Sequence, residues 1–590
     1  MEEEIILDHE TALQTKSIND SLALKGIIEF KLNKDVHEYQ LVDLETVINE
    51  AYVGKPIKFI GYVKYMTGGS PETTSVGKSN LRFTVYHFSI EDINGCSIDC
   101  FPILHDYYKG VINSLLNESK KLTFYGTIIS IDDIKNKSYN FLPMKIEDEI
   151  PASEQLRVKE SDKAKYDEIL EKAKKGELNL RDYVKGKLIK NIGIKGLDEA
   201  KELSTAIDFI ILQSFSQGKS KDGRYSNKLH SLVIGPPAVG KKLITQSALA
   251  LNTHNYEIQP TAAKITPAGL IGNVIRNGNG ILTSPGILSK ASNGVVCIQD
   301  YHELTKKKNS NFSDTFSKVM EDGEVVDSTS SRTVLPAVTS IHVDMNRLSQ
   351  VGNSKDNDIH ADLRIPLNII SRFDFIIDIP ADLKRQIYVV FDMMEGKKIL
   401  SNGSEISSIP QWIIELRYLI EKTKEEYVTI ELEADISEYI ITKFKHLVES
   451  NDKYLGMMQN FSSMLTRIQI SIEKMIKAIA CSSMSKKGKE EHVDYAFKFL
   501  KHKLEFLQKL DPIEIPDNFD QNIDEKSRRE GIITKLVKEK RSLKTEDIRK
   551  EVNKRMKKEY NIKTIQRDLK LLSSRNRINS SKKGIWKLGE

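Results

Sequence analysis

The chain has 590 residues, of which 39% are apolar, with 88 Lys and Arg set against 83 Asp and Glu. This is a core-forming composition, long enough for roughly three to five domains. No run of about 20 apolar residues occurs, which excludes a membrane-spanning helix, and the acidic start MEEEIILDHE lacks a secretory pattern, so a cytoplasmic location is expected.

The first 45 residues mix short apolar patches with charge and give no readable element. From Lys55 the pattern becomes strand-like in KPIKFIGYVKYM, LRFTVYHFSIED and GCSIDCFPI. A helix follows in HDYYKGVINSLLNE, then two more strands in KLTFYGTIISIDD and YNFLPMKIED. Three strands, a helix and two strands match an OB-like β-barrel over about 55–150, within an N-terminal domain of residues 1–150. Such barrels bind single strands through aromatics, here Tyr62, Tyr65, Phe83, Tyr86, Phe124 and Tyr125, although strand alternation buries about half of such side chains. The polar, Gly-containing stretch from Thr67 to Ser79 reads as a long exposed loop. Of the four cysteines only Cys96 and Cys100 are close, so neither a disulfide framework nor structural zinc is expected.

Residues 151–200 form a charged helical connector. After the apolar helix LSTAIDFIILQSF comes a strand, LHSLVIG, and then GPPAVGKK followed by a helix. Gly235, Gly240 and Lys241 fit a phosphate-binding loop, whose glycines let backbone N–H groups approach phosphate oxygens while the lysine adds a cation. The helix starting near Lys241 directs its N-terminus at the same charge. The position that should carry a hydroxyl holds Lys242. A second apolar strand, GVVCIQDYHEL, should end in Asp-Glu, but Gln299 and Asp300 stand there. A third, VTSIHVDMN, ends at Asn346, an amide able to orient water or sense a terminal phosphate. In ISRFDFIID, Arg372 precedes an apolar strand, where it serves either a neighbouring subunit's phosphates or a local salt bridge with Asp374.

GPPAVGKK, GVVCIQDYHEL, TSIHVDMN and ISRFDFI resemble, in order and spacing, the motifs of minichromosome-maintenance (MCM) helicases. The altered motifs and small size look most like the MCM-like helicases carried by staphylococcal cassette chromosome elements. The resemblance is specific over about Leu188 to Ile379 and weaker elsewhere. It implies a multidomain α/β chain: an N-terminal OB-like β-barrel, a central AAA+ P-loop domain (201–384), a helical lid (385–515), a linker (516–527) and a C-terminal winged helix (528–590). By position it makes Lys241 the phosphate lysine, Gln299 and Asp300 the Walker B pair, Asn346 the first sensor, Arg372 an arginine finger acting in trans and Arg467 the second sensor. Gly269 to Leu288 would be the helix-2 insertion, and Met320 to Val338 the presensor hairpin. In that family both reach DNA in a hexamer pore, which makes Arg276, Asn277, Lys290 and Arg332 candidate DNA contacts. The implied cofactors are ATP and Mg²⁺, with Asp300 as the metal-side carboxylate. The implied partners are single- and double-stranded DNA, further copies in a ring and replication-initiation, primase or polymerase proteins of the same mobile element.

Lys242 should repel Mg²⁺ and attract phosphate, and Gln299 removes a carboxylate. Either hydrolysis persists on Asp300 and water, or nucleotide binds with little turnover. From Lys526 onward 22 Lys or Arg face 8 Asp or Glu, a net +14, on a pattern of three helices and a strand pair. Its third helix, IKTIQRDLKLL, turns Ile562, Ile565, Leu569 and Leu572 to one side and Lys563, Gln566, Arg567 and Lys570 to the other. Lys582 and Lys583 fall in the wing, and Trp586 is expected in the core. Specific DNA reading, general DNA contact and protein docking all suit this module. The leading reading is a ring-forming, DNA-dependent ATPase that unwinds duplex DNA. The rival is a nucleotide-gated, DNA-binding scaffold or origin-binding protein with weak or no ATPase activity.

Overall fold

The computed structural model describes residues 39–67, 70–76, 79–86, 88–100, 103–104, 121–132, 137–192, 201–219, 225–259, 267–277, 280–301, 312–327, 333–346, 365, 367–381, 409–449, 465–509, 529, 532–533, 536–537, 542–556, 560–574, 578–582 and 585–588. The N-terminal strands are β1 (Gln40–Leu41), β2 (Ile57–Thr67), β3 (Ser70–Val76), β4 (Ser79–Tyr86), β5 (Phe88–Asp92), β6 (Ser97–Asp99), β7 (Ile103–Leu104), β8 (Leu122–Asp132) and β9 (Lys137–Asp148). β2 is the hub, antiparallel to both β5 and β8, while β8 continues to β9 and β5 to β6. Alternate residues of these strands turn inward. Ile57, Phe59, Phe124, Ile128 and Phe141 are fully buried, with Phe59 stacked 5.5 Å from Phe124 and edge-on to Phe141 at 5.0 Å.

Two expectations change here. The stretch from Thr67 to Ser79 is not simply a loop, because β3 pairs antiparallel with β4 across most of it. Its Thr-Thr-Ser-Val run has the β-compatible side chains that outweigh a polar composition. LRFTVYHFSIED is two strands in two sheets, since β4 joins β3 and β7 whereas β5 joins β2. The expected helix HDYYKGVINSLLNE lies outside the described residues.

Helices α1 (Glu160–Lys174), α2 (Leu180–Ile192) and α3 (Lys201–Ser214) lead to a second layer. This comprises β10 (Ser231–Ile234), α4 (Lys241–Leu251), β11 (Asn255–Ile258), β12 (Gly272–Asn277), β13 (Gly280–Pro285), β14 (Val295–Gln299), α5 (Phe312–Asp322), β15 (Glu324–Asp327), β16 (Thr333–Pro336), β17 (Ser340–Met345) and β18 (Phe375–Asp378). Five strands form an all-parallel sheet in the order β11-β14-β17-β10-β18. Their near-continuous apolar runs, such as Val295–Ile298, are buried, as expected of an all-parallel sheet. β12 and β13 form a hairpin whose β13 edge pairs with β2, so the hairpin extends the N-terminal sheet. Tyr62 Oη also donates to the Ser289 carbonyl, and Lys290 pairs with Glu91 at 2.8 Å.

The helical region that follows β18 contains α6 (Gln411–Glu426), α7 (Ala434–Glu449), α8 (Leu465–Ser482) and α9 (Glu490–Lys509). Arg417 of α6 is buried and donates to the carbonyls of Leu249 and Ala250, the last turn of α4. A guanidinium there satisfies orphan carbonyls and complements the helix dipole. No helix among the described residues is long and apolar enough to cross a membrane.

The basic C-terminal segment belongs to a separate compact unit. Its three-stranded sheet, ordered β19 (Ser542–Lys544), β21 (Ile585–Leu588), β20 (Ile578–Lys582), accompanies α10 (Thr545–Met556) and α11 (Ile562–Ser574). Ile565, Leu569 and Leu572 are fully buried, whereas Ile562 is 39% exposed and lies outside that core. Trp586 packs against the cluster and donates to Thr545 Oγ1. Buried Asp568 accepts from Arg529 at 2.8 Å, a tie absent from the hydrophobic pattern.

Two buried histidines lock the central sheet. His230 Nδ1 accepts from the Ile341 N–H, so its Nε2–H donates to the Met320 carbonyl. His342 lies between Ser231 and Thr245 hydroxyls. Burial lowers both to about 3, with the nearby Lys474 cation adding to the effect at His230. The unfolded value is about 6.5, so between pH 6.5 and 3 the unfolded chain binds protons that the folded chain refuses. Their stabilisation is full above pH about 6.5 and declines as the pH falls toward 3. The urea midpoint of unfolding should therefore drop between pH 7 and pH 5, and His230→Asn should make that slope shallower.

Candidate functional site

The loop after β10 turns on two glycines. A Cβ on Gly235 would lie 2.8 Å from the Ile379 carbonyl, and Gly240 adopts φ +94° immediately before α4. Ala238 between them also has positive φ, +62°. That costs a non-glycine residue about 1 kcal/mol, which the surrounding loop must offset.

Lys241 turns inward from the first turn of α4. Its Nζ donates to the carbonyls of Gly235 and Pro236, at 2.8 and 2.6 Å, and to Asn346 Oδ1 at 2.8 Å. Burial lowers its pKa, while Asp344 and Asp300 oppose the shift. Asn346 in turn donates to Asp300 Oδ1 at 3.4 Å. Lys241, Asn346 and Asp300, singled out separately by motif, thus converge at the C-terminal ends of β10, β17 and β14. Lys242 is exposed. Gln299 donates to Glu257 Oε1 of β11 at 2.5 Å.

Asp344 went unnoticed in the sequence, hidden inside the apolar-looking run VTSIHVDMN. It is 7% exposed and accepts from Thr245 Oγ1 at 2.6 Å. Burial raises its pKa to about 6, opposed by the Thr245 hydrogen bond and by Lys241. Its signal was positional: two residues before Asn346 in a strand, it shares Asn346's face.

Arg372 and Arg467 meet elsewhere. Arg372 Nε and Nη2 both donate to Glu321 Oε2, at 3.0 and 2.5 Å, and Nη1 donates to the Asn368 carbonyl. The local salt bridge therefore involves Glu321 of α5, and Asp374 has other duties. Arg467 donates to Ser371 Oγ at 2.6 Å, and its pKa is lowered by burial and then by Arg372. The parallel register explains the separation from Lys241. Phe375 at the start of β18 lies opposite Ser231, and Asp378 opposite Ile234. Arg372 precedes the start of β18 while the lysine loop follows the end of β10, so at least three residues of strand, roughly 10 Å, separate their backbones.

The SRFD segment is anchored by its other members. Phe373 is buried, and Asp374 accepts from the His230 N–H and from Ser471 Oγ. Fully buried Lys503 donates to the Ser371 carbonyl and to Ser471, and burial lowers its pKa to about 8. Lys474 is also buried near the Asp374 charge. Ser371, Phe373 and Asp374 are all buried, leaving Arg372 as the partly exposed member of the segment.

The other candidates are placed as follows. Arg276 and Asn277 are at the tip of the β12–β13 hairpin, their side chains outside the described residues, as Arg332 is entirely. Lys290 is engaged by Glu91. Tyr62 and Phe124 are buried. Tyr125 is half-buried with Lys58 and Lys145 5.7 and 5.6 Å from its ring centre. The side chains of Tyr65, Phe83 and Tyr86 are outside the described residues. Lys563, Gln566, Arg567 and Lys570 are exposed together on α11. Lys582 falls in β20 with its side chain undescribed, and Lys583 is outside the described residues.

Residues 172–387 match the family model of the MCM P-loop domain, which spans the phosphate loop, the Asn346 strand and the SRFD segment. The chain carries an MCM-family AAA+ P-loop domain. This is a P-loop NTPase domain, with the capacity to bind nucleotide that such domains have, and helices and strands surround it. No curated protein matches the chain.

Asp374→Ala removes acceptors from a backbone N–H and a hydroxyl and leaves the buried ammoniums of Lys474 and Lys503 without their nearest carboxylate. It should destabilise the P-loop unit by roughly 3–5 kcal/mol, read as a lower urea midpoint.

Proposed function

We propose that the chain is an ATP-dependent DNA helicase or translocase of the MCM-like type, forming a ring, most simply a hexamer, and serving replication of a mobile genetic element. The observation that carries this reading is the polarity of the parallel sheet. Lys241, Asn346 and Asp300 gather at one edge, and Arg372 and Arg467 gather at the other. A guanidinium that attends a bound triphosphate must then come from another copy of the chain, and a closed ring gives every copy such a neighbour.

In this reading Lys241 holds the terminal phosphates of ATP and Asn346 orients the attacking water. Asp300, already linked to Asn346, accepts a proton or a water contact on the metal side. Magnesium, when bound, neutralises phosphate charge, and Asp300 fits it as a carboxylate beside the lysine loop. Arg372 of an adjacent copy stabilises charge developing during transfer. Glu321 already offers the guanidinium a carboxylate, so an incoming phosphate replaces one anion with another.

DNA contact in this reading comes from the hairpin regions and from the exposed cationic face of α11 in a winged-helix module, where charge positions a phosphate chain without reading bases. Primase, polymerase or initiation proteins of the same element would be its partners. A nucleotide-gated scaffold that marks an origin without unwinding is the alternative, favoured by Gln299 at the strand-end position.

Two measurements test this. ATP-dependent strand release from a forked duplex should occur with the full chain, and its absence alongside nucleotide-dependent DNA binding would favour the scaffold. Lys241→Ala and Arg372→Ala should each abolish single-strand-stimulated ATPase activity. Mixing the two inactive proteins should restore activity at about a quarter of interfaces, since one pairing in four joins an intact loop to an intact arginine. No recovery on mixing would remove the shared site.

A further inference from the structure

The carboxylate that Gln299 lacks stands one strand away. β14 and β17 pair with Gln299 opposite Asp344, and β17 pairs on its other side with β10, Asp344 opposite Val233. Asp344 is thus level with the expected strand-end acid, on the strand between that position and the phosphate-loop strand. Its side chain faces α4, as the Thr245 contact shows. Asn346, two residues on and on the same face, holds Lys241.

Thr245 is three residues beyond Lys242, so it is nearly one turn further along α4. The Thr245–Asp344 pair therefore brings together the hydroxyl and the carboxylate missing at 242 and 299. The direction of its hydrogen bonds is fixed by the neighbours. Thr245 gives its one proton to Asp344 Oδ2 and is left to accept from His342 Nε2. Asp344 Oδ1 accepts no hydrogen bond among the described residues. It is not among the buried atoms left unpaired, so on a residue 7% exposed it is open to water or to a hydrated cation. Lys242, the residue that should repel a metal, is exposed.

We propose that Asp344, oriented by Thr245, replaces the carboxylate lost at Gln299 and anchors the hydrated magnesium ion that accompanies a nucleoside triphosphate on Lys241. The inference rests on the nucleotide reading above. Among the described residues no group of three or more His, Cys, Asp or Glu could hold a metal by itself. Magnesium that accompanies a nucleotide is held by one or two carboxylates together with water and the substrate's own phosphates. Asp300 supplies the second carboxylate, and Thr245 acts as a positioning residue.

The test uses the full-length chain with Mn²⁺ as the probe and a slowly hydrolysed ATP analogue. Free Mn²⁺ is followed by electron paramagnetic resonance, and analogue affinity is measured with metal and with chelator. Asp344→Asn should weaken Mn²⁺ retention in the ternary complex by about 10- to 100-fold, with the chelator-measured affinity unchanged, and Thr245→Val should weaken it less. Adding Gln299→Asp with Glu257→Gln to the Asp344→Asn protein should recover Mn²⁺ retention, which a merely structural role for Asp344 would not produce. Mn²⁺ retention equal to wild type in a folded Asp344→Asn protein overturns this inference and leaves the nucleotide reading standing. Failure of the wild-type chain to bind the analogue under either condition overturns both. Should Asp344→Asn fail to fold, Thr245→Val decides: Mn²⁺ retention equal to wild type in that protein overturns the inference, and weakened retention with unchanged chelator-measured affinity supports it.

Discussion

A lysine ammonium drawn out of water needs acceptors on every side and a counter-charge within reach, and Lys241 meets that need by gathering three strand ends. Two loop carbonyls and Asn346 Oδ1 accept its hydrogen bonds, while Asp344 and Asp300 oppose the effect of burial. The loop can offer its carbonyls only because Gly240 takes a left-handed conformation and Gly235 passes close to Ile379. Asn346 can reach only because β17 runs beside β10 in parallel register. The position of one charge thus ties together backbone conformation, strand order and the site.

The same register keeps the arginines apart from that charge. Arg372 leaves the sheet where β18 begins, with its neighbours tied to Ser471, His230 and Lys503 beneath. Its partner Glu321 lies on the last turn of α5, and Gly323 then opens into the β15–β16 hairpin. Any anion that captures Arg372 competes with Glu321, so the tie at the base of that hairpin depends on what the arginine faces.

The central domain was legible because its signals were local. A glycine-bracketed loop between an apolar strand and a helix specifies its own geometry, and the segments ending in Asn346 and Asp300 fell where continuous apolar runs predicted strands. What was lost on the page of letters was pairing. Glu321 is 51 residues from Arg372, Glu257 is 42 from Gln299 and Asp344 is 99 from Thr245. Residue type and periodicity carry no information about which charge meets which across a sheet. Pattern also failed where composition misled, in the polar β3 strand and at Ile562, an apolar residue about one turn ahead of the first buried residue of α11, Ile565.

The substitutions around the nucleotide loop constrain one another through charge. Gln299 presents an amide 2.5 Å from Glu257, and an aspartate at that position would set two carboxylates in near contact. Like charges that close raise one pKa and weaken the pair. With Glu257 on β11, glutamine is the better neighbour, and a carboxylate serving the loop is better housed on β17. There Thr245 supplies a hydrogen bond and Lys241 an opposite charge. The amide at 299 and the carboxylate at 344 are therefore complementary in where negative charge sits, with Glu257 beside the first and Lys241 near the second.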